Sequence, residues 1–353
     1  MEDSEKIIDG LMALLRVALG NEAPGAVGFD FGGLGLDDWK ALKKLSVRQC
    51  VPAIVLDGVQ ALVQEGVDVH PEIDEEGWSV FYLGWVGLVM RMEQEYEGYA
   101  HSLRHLAELY GSHGFRMMVL KGYGLSLNYP RPNHRPTGDL DIYLFGRQQE
   151  GDEMLRREGI EVDTSHHHHT TFVFEGLFVE NHYDFLNLYS HLGNRRVEKE
   201  LRKRCWACRP DPEMPNVYYP TNDFNTLFLL RHMGAHFAAE KMTLRQLLDW
   251  ALSPQVDMDE EFGMHEYRQI VNAICNGKLG FELPVEEVDA ALVERVFADM
   301  MHPYERDHLT LWFRLRRWFA NRWKNRLFYQ ENLFATFWVQ LWSHIVRPLG
   351  HAE

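Results

Sequence analysis

Two aspartates separated by one residue, Asp139 and Asp141, constrain this chain more than any other feature. They lie in an apolar segment that predicts a strand, so both carboxylates point to one face, whereas Leu140, Ile142 and Leu144 point toward a core. Neighbouring negative charges repel each other, and a divalent cation between them removes that repulsion. Because Mg²⁺ and Mn²⁺ prefer oxygen ligands, the aspartate pair predicts a site for one of these metals.

The residues before this strand supply a glycine turn and positive charge. Lys121-Gly122-Tyr123-Gly124 follows Phe115 to Leu120, a short apolar run that predicts another strand. Glycines let backbone N–H groups approach anionic oxygen closely. A proline-rich loop then carries Arg131, His134 and Arg135. A hard metal beside a glycine turn and cations is the combination that phosphoryl chemistry requires.

A later segment offers a third acid. Thr170 to Phe174 and Leu177 to Phe185 flank Glu175-Gly176, which predicts a β-hairpin. Glu180 and Asp184 fall on the same face of the second strand, together with Phe178 and His182. Either acid can complete the metal site, and strand alternation does not choose between them.

The remaining chain predicts helices on both sides of this unit. Apolar residues recur at helical spacing through residues 1–110 and again from residue 191 to residue 353. A chain of 353 residues is longer than one typical domain. We therefore predict an α+β fold: a small mixed-sheet core over residues 111–190, flanked by an N-terminal helical region and a C-terminal helical domain.

Charge, hydrophobicity and cysteine content indicate which binding partners and which cellular compartment to expect. The chain has 36 basic and 52 acidic residues and a net charge of −16, which disfavours non-specific binding to nucleic acid. Its acidic start does not match a signal peptide, and no apolar run is long enough to span a bilayer. Four cysteines are too few for a disulfide framework. The expected location is the cytoplasm.

The order of these motifs resembles the DNA polymerase β-like nucleotidyltransferase superfamily, and more closely the uncharacterised nucleotidyltransferase family. The resemblance covers roughly residues 115–250. The matching motifs are Leu120-Lys121-Gly122, Tyr129-Pro130, Arg135, Gly138-Asp139-Leu140-Asp141, Glu180-Asn181-His182 and a helical segment with His232 or His236, Arg245 and Asp249. Tyr123 replaces the glycine or serine that usually follows the superfamily's first glycine, a difference shared with the closer family.

The resemblance implies a chemistry and a set of residue roles. Nucleoside monophosphate would pass from an NTP to an acceptor hydroxyl, with two Mg²⁺ (or Mn²⁺) ions held by Asp139, Asp141 and Glu180. The acidic balance favours a small molecule, sugar or protein as acceptor over nucleic acid. The implied nucleotide-binding residues are Lys121, Gly122, Gly124, Arg131 and Arg135, and the residues implied around them are His182, Asp184, His232, His236, Arg245 and Asp249.

Several alternatives stay open at this point. The fold can serve nucleotide or partner binding without turnover. The Trp- and Arg-rich segment from Leu309 to Val346 can bind a membrane surface or nucleic acid, although its helical spacing favours packing. The run His166 to His169 can contact the site, bind metal or lie in a solvated loop, and Arg245 and Asp249 can form an ion pair. Cys205 and Cys208 are interpreted as structural, because their context is not that of a redox motif.

Overall fold

A computed structural model describes residues 2–70, 73–166, 168–188, 191–239, 241–258, 262–301, 316, 319–330 and 338. Within these ranges the chain forms the helices α1 Glu2–Ala18, α2 Leu36–Arg48, α3 Pro52–Gln64, α4 Glu75–Ser112, α5 Tyr123–Ser126, α6 Gln148–Arg157, α7 Asn194–Arg204, α8 Asn222–Ala239, α9 Leu244–Leu252, α10 His265–Leu279, α11 Ala290–Met301 and α12 Arg322–Tyr329. Its strands are β1 Met117–Val119, β2 Leu140–Tyr143, β3 Val162–Asp163, β4 His169–Phe174, β5 Leu177–His182, β6 Arg209–Pro210 and β7 Val217–Tyr219.

The strands form one mixed sheet at the centre of the fold. Their order is β3-β4-β5-β2-β1-β7-β6. Strand β2 pairs in parallel with β5 and antiparallel with β1, and β7 pairs in parallel with β1. Helices flank this sheet, so the predicted α+β class is confirmed.

The sheet extends beyond the predicted core. Strands β6 and β7 lie beyond residue 190, in a segment that contains three prolines, and they add to the edge next to β1. Both strands are too short to show periodicity, and Pro210 is tolerated because β6 is an edge strand. We therefore propose that the core region runs to Tyr219 instead of ending at residue 190.

The two faces of the sheet pack against different helices. Leu140, Ile142 and Leu144 are buried against the second half of α4 and against α6, as the alternation predicted. The opposite face joins a larger core that contains both the N-terminal helices and the helices α8 to α11. Direct contacts cross between these regions, since the Gln49 side chain donates to the carbonyl of Met300 at 3.0 Å.

The cysteines fit the structural interpretation. All four are free thiols, and Cys205 is buried. Burial raises the pKa of the Cys205 thiol to about 11, which suppresses the reactive thiolate. No helix in the described ranges is long and apolar enough to cross a membrane.

A buried histidine anchors the proline-rich loop to two helices. The His134 ring lies 2.7 Å from Asp57 of α3 through Nδ1 and 2.9 Å from Glu93 of α4 through Nε2. Burial alone would lower the pKa of His134, but these hydrogen bonds raise it above its ordinary value. The loop that leads to the aspartate pair is thereby fixed on the helical region.

We expect His134→Gln to destabilise the protein by about 1.5–3 kcal/mol, the range for a hydrogen bond to a charged group. A histidine whose folded-state pKa is raised stabilises fully below its unfolded value near 6.5 and loses that contribution as pH rises through the folded value. Urea unfolding of the native protein and of His134→Gln, at about pH 6 and about pH 9, gives the difference in their free energies of unfolding at each pH. The difference should be larger at the acidic pH, and an equal difference at both would contradict a protonated His134.

Candidate active site

The register of β2 and β5 brings two acids side by side. Asp141 pairs with Glu180 across the two parallel strands. Paired residues in neighbouring strands project to the same face, so both carboxylates leave the sheet together. Asp141 is buried and Glu180 is half-buried.

His182 lies between these acids. Its Nε2 is 2.8 Å from Asp141 Oδ1 and 3.3 Å from Glu180 Oε2. Its Nδ1 lies 3.2 Å from the carbonyl oxygen of Asp184, which accepts a hydrogen bond from the Nδ1–H tautomer. The Nε2–H donates to the two carboxylates, and Nε2 is the nitrogen that would bind a metal if the metal displaced this proton, an orientation common among metal-binding histidines.

Positive charge surrounds Asp141. Lys121 Nζ lies 2.9 Å from Asp141 Oδ1. Burial would raise the pKa of Asp141, but Lys121 and His182 outweigh it and hold that pKa well below its usual range. In turn, burial would lower the pKa of His182, and its hydrogen bonds to Asp141 and Glu180 raise it to about 9. Asp141 is thus a fully ionised buried carboxylate beside two cations.

Asp139 stands at the start of β2 and is exposed. It lines the same pocket as Asp141, so the two aspartates face one space, as the alternation predicted. Loss of hydration raises the pKa of Asp139, and repulsion from Asp141 adds to this effect. Asp139 therefore adds a third negative charge near Asp141 and Glu180, and Asp141 is the residue shared by the pocket and the pair with Glu180.

The donor set fits a divalent cation. One ligand atom each from Asp141, Glu180 and His182 lie within 4.8 Å of one another. Two carboxylates and one imidazole suit Mn²⁺ or Mg²⁺ with water in the remaining positions. Lys121 and His182 balance the negative charge of Asp141, which a bound metal ion would also do. This is consistent with a cation-binding site.

The two glycines of the turn, Gly122 and Gly124, are needed for different reasons. Gly122 adopts φ 57° and lines the pocket, and a Cβ there would lie 3.0 Å from the Tyr99 hydroxyl. Gly124 instead allows close packing, because a Cβ would lie 2.9 Å from the Tyr219 ring. The Gly124 N–H donates to the carbonyl of Lys121 at 3.2 Å and is not directed at the pocket.

Tyr123 explains the departure from the superfamily's usual glycine motif. Its ring stacks on Tyr96 at 5.5 Å and on Tyr99 at 6.3 Å between ring centroids. Both tyrosines belong to α4, which passes behind the turn. The large side chain therefore positions the glycine turn against the long helix.

Arg135 is held inside the protein. Its Nε and Nη2 donate to Asp249 at 2.7 and 2.9 Å, and its Nη1 donates to the carbonyl of Pro136 at 3.2 Å. The Tyr129 hydroxyl donates to the same carboxylate at 2.8 Å. Arg135 lines the pocket, but its guanidinium is already hydrogen-bonded. Asp249 thus pairs with Arg135, and the alternative of an Arg245–Asp249 ion pair is wrong.

Two residues predicted near the site are held elsewhere. Arg131 Nη1 binds Asp57 at 2.7 Å on α3, and Arg131 is absent from the pocket lining. Asp184 lies beyond the end of β5 and accepts from Arg202 Nη2 at 2.5 Å. Of the two acids that alternation left open, Glu180 is the one that faces Asp141.

This placement gives a prediction that separates the two acids. We expect Glu180→Gln to lower transferase activity by about 10²–10³-fold, because it removes one of the carboxylates that could hold a divalent cation beside Asp141. The matched variant Asp184→Asn should change activity only a few-fold, since Asp184 pairs with Arg202. Steady-state rates of Glu180→Gln and Asp184→Asn, each compared with the native rate, measure the two effects. A larger loss in Asp184→Asn would contradict the assignment.

The helices α8 and α9 close the pocket from the opposite side. His232, Arg245 and Asp249 line it, and so does Gln246, which sequence reasoning missed although it follows Arg245 directly. His232 and His236 are in contact through their Nε2 atoms at 3.1 Å. Burial lowers the pKa of His232 well below its usual value, and Lys121 adds to this, so His232 is neutral.

The histidine run reaches the site through its last member. His169 begins β4, pairs with His182 and places its Nε2 3.8 Å from Glu180. The strand begins at His169, so His166 and His168 precede it. Burial lowers the pKa of His169 to about 4, so this ring is neutral.

A mixed sheet with acids on adjacent strands beside a glycine turn is the arrangement that the motif resemblance led us to expect. A family model described as "Uncharacterised nucleotidyltransferase" matches residues 38–262, more than half of the chain, and the chain belongs to that family. The resemblance found in the motifs is confirmed. No curated protein and no solved structure matches the chain.

Proposed function

We propose that this protein is a metal-dependent nucleotidyltransferase that moves a nucleoside monophosphate from an NTP to an acceptor hydroxyl. One observation carries the proposal: Asp141 and Glu180 are paired across β2 and β5, with Asp139 at the mouth of the pocket. Three acids in this arrangement are more than a solvated strand end requires. The acidic balance of the chain supports a small molecule, sugar or protein as acceptor.

Asp139, Asp141 and Glu180 are the residues that we propose to hold the metal, as two Mg²⁺ or Mn²⁺ ions, with His182 as a nitrogen donor. Bound divalent cations would stabilise charge on the α-phosphate and orient the NTP and the acceptor for in-line displacement. The pKa of Glu180 is lowered by its hydrogen bond to His182, so Glu180 is ionised at neutral pH. An ionised Glu180 is suited to draw a proton from the acceptor hydroxyl.

Lys121 is the lysine that we propose to bind the phosphates of the NTP. Lys121 lies two residues after the end of β1 and lines the pocket beside Gly122, so an ammonium group and a glycine backbone form part of the pocket wall. When the charge of Asp141 is taken up by a cation, Lys121 becomes available for phosphate. In-line attack concentrates negative charge on the phosphate oxygens, and a nearby ammonium stabilises it.

Arg245 is the best placed guanidinium for the triphosphate. It lines the pocket from α9. Its Nε is buried without a hydrogen-bond partner, and in the described part of the chain its guanidinium has no carboxylate at salt-bridge distance. Lys121 and Arg135, in contrast, each bind an aspartate. A buried donor without a partner requires an explanation, and an anionic ligand supplies one.

We expect Arg245→Met to raise the KM for NTP by about 10- to 100-fold, the equivalent of one hydrogen bond to a charged group. Arg131→Met is the matched control, because Arg131 binds Asp57 away from the pocket and its loss should leave the KM nearly unchanged. Initial rates over a range of NTP concentrations measure both. If the two variants behave alike, Arg245 does not bind the nucleotide.

Release of pyrophosphate tests the proposed function. The protein is incubated with Mg²⁺, each NTP in turn and an extract of metabolites and proteins from its own cells. We expect pyrophosphate with the native chain and none with the double variant Asp139→Ala, Asp141→Ala. Nucleotide binding without pyrophosphate release would favour the catalytically silent alternative.

The tail alternative lies mostly outside the described residues, since only parts of Leu309 to Val346 are described. Trp323, which is described, meets Phe237 edge to face with ring centroids 5.5 Å apart, and the Arg295 guanidinium lies 4.0 Å from the centroid of its ring. This tryptophan therefore packs on the helical region, in line with the interpretation that was favoured for the tail. We accordingly place the function in the pocket.

A further inference from the structure

A second cluster of metal-binding groups lies away from the pocket, on the outer surface of α4. His101 and His105 are one helical turn apart, with ring centroids 4.0 Å from each other. His105 Nδ1 is 3.1 and 3.0 Å from the two carboxylate oxygens of Glu175. One ligand atom from each of the three residues lies within 4.8 Å of the other two.

The geometry is close to that of a transition-metal site. Tetrahedral zinc with bonds of about 2.0–2.2 Å holds its ligand atoms roughly 3.3 Å apart, near the distance between His105 and Glu175. Histidines at i and i+4 on a helix are a frequent pair of zinc ligands. His101 and Glu175 are exposed, so an ion and a water molecule have access.

The turn that carries Glu175 is also unusual. Glu175 and Gly176 both have positive φ, 47° and 81°, and Phe174 pairs with Leu177, so they form a two-residue hairpin turn. Asparagine, aspartate or glycine normally occupies the first of these positions, because a larger side chain is sterically disfavoured there. The Ser102 hydroxyl donates to the carbonyl of Glu175 at 3.4 Å and holds the turn on α4.

We infer that His101, His105 and Glu175 form a surface site for a divalent transition metal such as Zn²⁺, which ties the β4–β5 turn to α4. Imidazole ligands select zinc, nickel or copper over magnesium, so this site differs in metal preference from the carboxylate-rich pocket. Strand β5 carries Glu180 and His182, and the metal would therefore hold the hairpin that presents them. The inference does not depend on the proposed transferase activity.

Zinc titration of the full chain tests this site. The metal alone is titrated against a chromophoric chelator, and bound equivalents are counted for the native chain and for His101→Ala, His105→Ala and Glu175→Gln. Because the pocket and the histidine run also offer zinc ligands, the difference in equivalents is the result. We expect each variant to lose one equivalent, or to bind it about tenfold or more weakly.

His113→Ala is the matched control. His113 directly follows α4, and its ring lies 3.4 Å from the Glu158 carboxylate, but no histidine lies four residues before or after it. It should retain every equivalent. Hydrogen exchange should also slow at residues 173–178 when zinc is added to the native chain, and not in His101→Ala. Unchanged equivalents in His101→Ala and Glu175→Gln, or an equal loss in His113→Ala, would overturn the site.

Discussion

Asp141→Asn is expected to lower nucleotidyl transfer by on the order of 10³-fold or more while the protein stays folded. Asparagine has nearly the same shape, but it removes the charge that Lys121 and His182 surround. It also removes one of the oxygens that are proposed to hold the metal. The measurement is the steady-state rate at saturating NTP and Mg²⁺.

The control for Asp141→Asn is Asp152→Asn, another carboxylate with several partners. Asp152 accepts hydrogen bonds from Thr170, Asn181 and Tyr183, and it lies behind the hairpin instead of in the pocket. Its variant should affect stability without a comparable loss of rate per folded molecule. A rate for Asp141→Asn within about tenfold of the native rate would contradict the proposed role of Asp141.

Asp249→Ala is expected to destabilise the protein by about 3–5 kcal/mol, the usual cost of removing one partner of a buried ion pair. The side chains of Arg135 and Asp249 are only 5% and 9% exposed, so the variant leaves a guanidinium in the interior without its anion. The Tyr129 hydroxyl also loses its 2.8 Å hydrogen bond to Asp249 and keeps only the carbonyl of Arg245, at 3.4 Å, as an acceptor. Denaturant unfolding with a constant m-value measures the change.

Two further variants serve as controls for the unfolding of Asp249→Ala. Asp37→Ala, which breaks an exposed pair with Lys40, should cost less than about 1 kcal/mol. The double variant Arg135→Met, Asp249→Leu should recover much of the loss, because apolar replacement of both partners leaves no buried charge. If Asp249→Ala were as mild as Asp37→Ala, the ion pair would not hold the pocket wall.

Much of the candidate site was predictable, because strand alternation is a local property. The common face of Asp139 and Asp141 and the Glu175-Gly176 turn both follow from a few neighbouring residues. With that turn fixed, hairpin register also pairs His169 with His182, a step that would have identified His169 as the member of the histidine run that approaches Glu180. The sequence carried that signal, and the run of identical residues obscured it.

Other features depend on distant parts of the chain. Alternation places Glu180 and Asp184 on one face, and only the parallel register of β2 and β5 selects Glu180. Arg135 and Asp249 are 114 positions apart, so their ion pair cannot be read from local spacing. Strands as short as β6 and β7 exist because the sheet edge binds them, which no periodicity reveals.

The position of the transferred phosphorus distinguishes nucleotidyl transfer from transfer of the terminal phosphate. The protein is incubated with Mg²⁺ and the cell extract, once with NTP labelled at the α-phosphate and once with NTP labelled at the γ-phosphate. We expect the α-label to enter an acceptor product, the γ-label to leave in pyrophosphate, and both signals to vanish in Asp141→Asn. Transfer of the γ-label to an acceptor, or α-label incorporation that persists in Asp141→Asn, would contradict the proposed nucleotidyl transfer.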